Sequence, residues 1–337
     1  MLTWKYFIRR LILALFVIWG ITSITFLLMY IVPRNPAIAM AGANATHEQI
    51  EAFSEKWGLN KPIHERYISF YANVLRGDLG RSIRTQRPVL QEIAQHFPAT
   101  FELANFSLII AIILGIPLGV LSAIKRNQWP DQIARVFSLI GVSIPNFLLG
   151  LIILLIFYGK LHMFEPGRLS IYFSAPSTVT GMYLVDSLLS GEWSVFIDSS
   201  KHLIMPALTL GLVLAAYIAR LTRASMLEEL ASDYVKAAKA RGLSLRTIIF
   251  KHALRNALIP TVSVLGVLYG YMLSGQIVIE TVFSYPGLGY FAYSSILKAD
   301  QPSIMGITLA ISVFFSLIIF FVDFIYRILD PRTRYES

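Results

Sequence analysis

Six long apolar stretches constrain this 337-residue chain more than anything else in it. They run at 11–32, 102–124, 136–158, 203–219, 258–279 and 303–326, each close to the roughly 20 residues a helix needs to cross a bilayer core. In lipid every backbone N–H and C=O must be paired within the protein, so runs of this length read as transmembrane helices. Composition agrees, because 55% of residues are hydrophobic and only 15% charged, too few charges to cover a soluble domain of this size. Lys5, Arg9 and Arg10 precede the first run, as they would a secretory signal. Its length, and an exit through "VPRNPA" at 32–37 with no small-residue cleavage site, make it a retained span instead. The expected fold class is an all-α membrane protein with six transmembrane helices.

Charge placement orients the spans. The alternate segments 1–10, 125–135, 220–257 and the tail after 326 hold 17 cations against 6 acids, whereas 33–101, 159–202 and 281–302 hold 12 against 11. The positive-inside rule therefore expects both termini and 220–257 in the cytoplasm. The first outer segment is expected to be helical: "HEQIEAFSEKWGLN" reads as a helix stopped by Gly58, and "PIHERYISFYANVL" as another. The second, 159–202, carries weaker signals around "TGMYLVDSLLSGEW".

Several chemistries are absent. The chain has no G-x-x-x-x-G-K-[ST] phosphate loop, no H-E-x-x-H, no G-x-S-x-G elbow and no cysteine. Neither ATP binding through a P-loop, nor a zinc site, nor a disulfide framework is expected. The sequon at Asn44 is a three-residue match of the kind that arises by chance. Glu102, Glu280 and Asp323 are the acids within reach of the spans, and all lie near span ends. They read as interfacial carboxylates satisfied by a neighbouring helix in preference to a proton relay, which would place charge deeper. Gly115, Pro117, Gly119, Pro145, Asn146, Pro206, Gly266, Gly270 and Gly275 punctuate the spans. Prolines kink a helix and glycines let backbones approach closely, for packing or for a cavity that changes access.

The most informative segment is "DYVKAAKARGLSLRTIIFKHALRNALIP" at 233–260, basic and helix-patterned between two spans. Residues 226–241 are strong helix formers, and Gly242 sits where a C′ glycine stops a helix. Ser244 is placed to cap a second helix running to about Asn256, with Leu245, Ile248, Ile249 and Ala253 on one face. The charge by itself is that of an ordinary topology signal; a surface helix joined directly to two spans can also transmit force from a cytoplasmic partner, or some of its cations can instead rest on anionic membrane lipid.

This segment resembles the EAA loop of ABC importer permeases, whose pattern E-A-A-x3-G-x9-I-x-L-P is met at Ala237, Ala238, Gly242 and Leu254. Lys236, His252 and Arg255 depart from it, yet "DYVKAAKARGLS" and "KHALRNALIP" are similar to the version in the dipeptide, oligopeptide and nickel branch. So are "WGLNKP", "RGDLGRSI", "RPV", "FPATFELA", "KHLIMPALTLG", "ARLTRASMLEEL", "ETVFSYPGLG" and "LDPRTRY", in order along almost the whole chain. "VPRNPA" lacks the Gly-Asp pair usual in that branch.

The resemblance implies a type I ABC importer permease fold with a helical extracytoplasmic loop between helices 1 and 2. It organises the chain as 1–32 (cytoplasmic N-terminus and helix 1), 33–98 (outer loop), 99–327 (permease core, with the coupling loop 221–257 and outer loop 159–202) and 328–337 (cytoplasmic tail). It implies a non-enzymatic subunit of the plasma (inner) membrane, importing di- or oligopeptides, with nickel or oligosaccharides as alternatives. The implied partners are a homologous second permease as a heterodimer, two ATP-binding subunits carrying ATP and Mg, and an extracytoplasmic substrate-binding protein. No cofactor, metal or nucleic acid is expected on this chain. The implied ATPase-coupling residues are Asp233, Tyr234, Ala237, Ala238, Lys239, Arg241, Gly242, Leu243, Ser244 and Leu254. Pro145, Asn146, Tyr217, Tyr269 and Tyr271 are candidates for the translocation path. The rival from another class is an ion-coupled secondary transporter, which would work alone and respond to a proton or sodium gradient.

Overall fold

The computed structural model describes residues 4–31, 46–56, 58 and 60–329, of which 4–7, 53, 56 and 323–329 are described by backbone alone. The turn at 32–37, the sequon at Asn44, the side chain of Asp323 and the tail from 330 lie outside the described side chains or residues. Among the described residues every regular element is helical. The long apolar α1 (Trp4–Ile31) is followed by α2 (His47–Lys56) and α3 (Ile63–Leu75), at the two places expected between the first spans. Gly58 stops α2 as its position suggested: φ is +62° and its N–H donates to the Glu55 carbonyl at 3.0 Å.

The second span belongs to α4 (Val89–Ile124), which starts thirteen residues before the apolar run at 102. The run expected as the third span is not one straight helix. It divides into α5 (Trp129–Ser143) and α6 (Asn146–Lys160), bent by 102° at the break. Pro145 supplies no N–H, and Ile144 before it is extended, as a residue ahead of proline prefers.

After α7 (Tyr183–Ser190), the fourth span belongs to α8 (Trp193–Ala231), with Pro206 accommodated inside it. The helix expected over 226–241 is divided at Ser232, whose extended backbone separates α8 from α9 (Asp233–Ala240). The helix that Ser244 opens does not end near Asn256. It runs on as α10 (Leu245–Leu273) with a π-helical turn at Ile248–Ala253, so the surface helix and the fifth span are one element. This span stops at Leu273, short of the expected 279, because the chain turns at Gly275, φ +91°. Short helices α11 (Ile277–Val282) and α12 (Leu288–Leu297) precede the last span, α13 (Gln301–Leu329). Five described helices are long and apolar enough to cross a membrane, or six if α5 and α6 form one broken span.

The chain divides into two compact units. One comprises 1–100, 274–281 and 286–316. Its core joins Val89 and Ile93 to Leu288, Phe291 and Ile307. Within it the Asp300 carboxylate accepts from the Ser82 and Ser303 hydroxyls at 2.5 and 2.8 Å and from the Ile83 N–H at 3.0 Å, which ties the "RGDLGRSI" loop to the start of α13. Glu280 is fully buried there, accepting from the Thr100 hydroxyl at 2.8 Å and the Tyr290 N–H at 2.9 Å.

The other unit comprises 101–273, 282–285 and 317–337. In it small residues let α4 and α8 touch. A Cβ on Gly115 would stand 2.8 Å from the Ala215 carbonyl oxygen, and one on Gly119 would stand 2.7 Å from that of Ala219. Close approach of this kind is how helices associate in lipid, where no hydrophobic force separates helix from tail.

Candidate functional site

The segment 231–257 is built from local hydrogen bonding outward. Gly242 has φ +76°, and its N–H donates to the Lys239 carbonyl at 2.9 Å while the Leu243 N–H reaches Ala238 at 3.3 Å, which ends α9 in a left-handed C-cap. The Ser244 hydroxyl accepts the Thr247 N–H at 3.3 Å and so caps α10. Behind this turn Val235, Ala238 and Ile248 form a small buried cluster. Ile249, Ala253 and Ala257 of α10 then pack with Val120 and Ala123 of α4 and Met226 of α8, with Leu254 against their edge. Three of the four residues expected on one face are therefore buried, and Leu245 is exposed.

Tyr234 fastens α9 to both neighbours. Its hydroxyl donates to the Glu229 carboxylate at the end of α8 and accepts from the Asn256 amide of α10 at 3.2 Å. Burial first, and then the Glu229 carboxylate, push its phenol above the usual range. Asp233 and Lys236 pair at 2.8 Å on the surface, a contact in open solvent that contributes little. The front of the turn is open. Asp233, Tyr234, Ala237, Lys239, Arg241, Gly242, Leu243 and Ser244 are exposed, as are Leu245 and Phe250. Of the ten residues named from the sequence, eight are exposed, while Ala238 and Leu254 belong to the packed clusters behind them.

A second device holds the same end of α8. Asp131 of α5 is fully buried and accepts from Arg223 through Nε at 2.7 Å and Nη2 at 3.0 Å, a two-point fork. The Ser122 hydroxyl at 2.6 Å and the Asn127 N–H at 2.8 Å complete its shell. Arg223 lies eight residues before Ala231, so the short 125–131 turn is locked to the helix that leads into α9. In the sequence Asp131 is visible only as a charge. Its sole signal was that it stands alone among Lys125, Arg126 and Arg135.

The candidates for the translocation path do not converge. Tyr269 donates to the Asn105 carbonyl oxygen at 3.1 Å and lines an apolar groove of about 350 Å³ with Leu108, Ile112, Gly266 and Phe321. Pro145 and Asn146 mark the broken span, Tyr217 stacks under the Arg220 guanidinium at 5.1 Å, and Tyr271 is exposed. None of those four lines that groove. Asn105 carried no sequence signal beyond being polar within an apolar run.

Glu102 meets the expectation of an acid satisfied by neighbours. It accepts from Arg168 at 2.9 Å, the Leu184 N–H at 2.8 Å and the Tyr285 hydroxyl at 3.2 Å. Arg168 in turn stacks 3.8 Å from the Tyr183 ring and donates to the Gly181 carbonyl at 2.8 Å. Burial, reinforced by the Glu102 charge, pushes the Tyr285 phenol well above its usual range, so it remains a donor. Among the described residues no cluster of three or more His, Asp and Glu side chains could hold a metal ion.

Residues 115–335 match the family described as "Binding-protein-dependent transport system inner membrane component", and residues 1–104 match its N-terminal counterpart. The chain is 42% identical over 317 residues to the probable D,D-dipeptide transport system permease protein DdpB of Escherichia coli (strain K12), covering 94% of this chain and 93% of that one. It is 40% identical to the dipeptide transport system permease protein DppB of Alkalihalophilus pseudofirmus, covering 98% and 99%. A solved structure of the MetNI methionine ABC transporter in inward-facing conformations shares the fold, with TM-score 0.50 at 18% identity over 72% of this chain and 97% of that one. These apolar spans, the capped turn between α9 and α10, and matches covering almost every residue agree: the chain belongs to the family of binding-protein-dependent transport system inner membrane components.

Proposed function

We propose that this chain is the membrane-spanning subunit of an ATP-driven importer of di- or oligopeptides, and that 233–257 is where an ATPase subunit engages it. The observation that carries the reading is the build of that segment. Its front is an accessible mix of Leu243, Leu245 and Phe250 with Lys239 and Arg241, and its back is continuous with α8 and α10. A push on the front reaches two spans without passing through a flexible linker. The names of both relatives, a D,D-dipeptide and a dipeptide permease, support a peptide cargo.

In this reading α5 and α6 are one broken span, giving six spans in a type I importer fold with both termini cytoplasmic. A second permease, two ATPase subunits and an extracytoplasmic binding protein complete the assembly. Energy enters through the partner chains, which accords with the missing P-loop. The Asn105–Tyr269 pair belongs to the wall of the path that substrate crosses.

The test is substitution at Gly242 in the assembled transporter, reconstituted in liposomes with ATP inside and labelled dipeptide outside. A Cβ there meets nothing within 4 Å, so Gly242→Val acts only through the left-handed backbone, at roughly 1–2 kcal/mol. Uptake is expected to fall at least tenfold in Gly242→Val and to survive in Gly242→Asn, since asparagine tolerates that conformation. Unchanged uptake in the valine variant overturns the coupling role. Uptake that persists without ATP and collapses with the proton gradient overturns the importer reading altogether.

A further inference from the structure

A cavity of about 280 Å³ lies between α1, α3, the 78–83 loop and the start of α13, all within one unit, and the coupling reading makes no use of it. Along α3 the residues Arg66, Ser69, Phe70 and Asn73 face it at i, i+3, i+4 and i+7, one stripe of a helix. Lys61, Asp78 and Gln301 add polar groups to its wall, and Met29 and Tyr30 of α1 supply an apolar side.

Among the described residues its charges form no ion pair. Arg66 is half-buried and donates to Gln301 at 2.7 Å, but among the described residues no carboxylate lies within 4 Å of Arg66 or Lys61. Burial lowers the Arg66 pKa, the mark of a cation that has lost water. Asp78 accepts the Gly80 N–H at 2.8 Å, and among the described residues it pairs with no cation.

The depth of the cavity is set by α3. Tyr71 and Tyr67 of α3 bond to Thr22 and Ser23 of α1 at 2.6 and 2.7 Å. Thr22 lies nine residues before Ile31, the last residue of α1, which is roughly 14 Å along a helix. So α3 does not stand clear of the membrane but runs beside the final third of a span. On its outer side Ile68 and Leu75 are 65% and 88% exposed, an arrangement suited to an interfacial helix.

We propose that this cavity binds the headgroup of a zwitterionic, primary-ammonium glycerophospholipid. The phosphate sits between Arg66 and Lys61, because a guanidinium fork matches phosphate oxygens in two points. The ammonium meets Asp78, and the acyl chains descend along Met29 and the exposed flank of α1. The assignment of this end of α1 to the non-cytoplasmic leaflet follows the orientation proposed above. The binding test does not depend on that orientation. A soluble phosphoethanolamine carries the same two kinds of charged group, a phosphate and a primary ammonium, so the probes must separate headgroup from chain.

The chain is purified in mild detergent with whatever subunits accompany it, stripped of lipid, and titrated with dioleoyl phosphatidylethanolamine, dioleoyl phosphatidylglycerol or free phosphoethanolamine. Bound lipid is counted by native mass spectrometry. Phosphatidylethanolamine is expected to be retained stoichiometrically, about tenfold more weakly in Arg66→Ala, and at intermediate strength in Arg66→Lys, which keeps the charge without the fork. Asp78→Asn, an exposed change, is expected to keep binding but lose the preference over phosphatidylglycerol. Equal retention by wild type and Arg66→Ala overturns the site. Equal retention of the two lipids by wild type overturns the zwitterion assignment, and saturation by free phosphoethanolamine at the same concentration overturns the lipid.

Discussion

Replacing Arg223 with alanine removes the cation that Asp131 meets at 2.7 and 3.0 Å, and leaves a fully buried carboxylate to find compensation elsewhere. Removing one partner of a buried pair costs about 3–5 kcal/mol. Here the lower end applies. The Ser122 hydroxyl and the Asn127 N–H still donate, Arg135 stands at 3.7 Å, and the Arg223 side chain is 23% exposed, so water reaches the gap. Asp131→Ala strands the Ser122 and Asn127 donors at about 1–3 kcal/mol each, while Arg223 swings out to water. Once Asp131 is gone, losing Arg223 costs about 1 kcal/mol or less, so the double variant should be at least about 2 kcal/mol more stable than the sum of the two singles predicts. At about 2 °C per kcal/mol for a chain of this size, Arg223→Ala lowers the unfolding midpoint by about 6 °C, followed by tryptophan fluorescence in one detergent. Arg223→Lys keeps the charge without the fork and should fall between. A shift under about 1 °C for Arg223→Ala, or singles that simply add in the double, would refute the idea that this pair locks the 125–131 turn to α8.

Three further outcomes are expected. Glu102→Gln leaves the Arg168 guanidinium buried without its anion, so it should cost at least about 3 kcal/mol and expose the 165–185 segment to protease; Gln that behaves as wild type contradicts the pairing. Gly115→Ala forces a methyl against the Ala215 carbonyl and Ile218 and should cost about 1–3 kcal/mol, read as a lower melting midpoint, whereas Gly191→Ala, with open space around it, should cost only its left-handed backbone strain. Burial raises the Asp186 carboxyl, but hydrogen bonds from Thr180, Gly181 and Val179 outweigh it and hold it below the usual carboxylate range. A depressed folded pKa contributes stability that is present above the unfolded value of about 3.9 and is lost as pH falls through the folded value. Pepsin cleavage within 175–190 should therefore accelerate as pH falls below about 4 in wild type and be less pH-dependent in Asp186→Asn; identical profiles would remove Asp186 from the account.

What was legible in the sequence was what local physics dictates. Runs of apolar residues at 11–32 or 303–326 are helices because nothing else satisfies backbone in lipid. Gly58, Gly242 and Ser244 acted as stops and caps because a helix end is satisfied by residues within four positions of it. The errors lie where neighbours far along the chain intervene. The run at 258–279 looked like one span through its last residues, but Gly275 packs within van der Waals reach of the Gly289 backbone and ends it early. Ser232 divides a stretch whose propensities favour continuing, and the tie of Tyr234 to Glu229 and Asn256 accompanies that break.

The partners of the buried charges were decided only by the fold. Asp131 meets Arg223 across 92 residues and Glu102 meets Arg168 across 66, separations at which no periodicity links one residue to another. The sequence by itself determined which segments form long apolar helices and where several of them are capped, at Gly58, Gly242 and Ser244, because these depend on each residue's own character and on hydrogen bonds to close neighbours. Which carboxylate meets which guanidinium, and whether a polar group ends in a wall, a clamp or a cavity, depended on tertiary approach, where one rotation of a helix exchanges every partner it has.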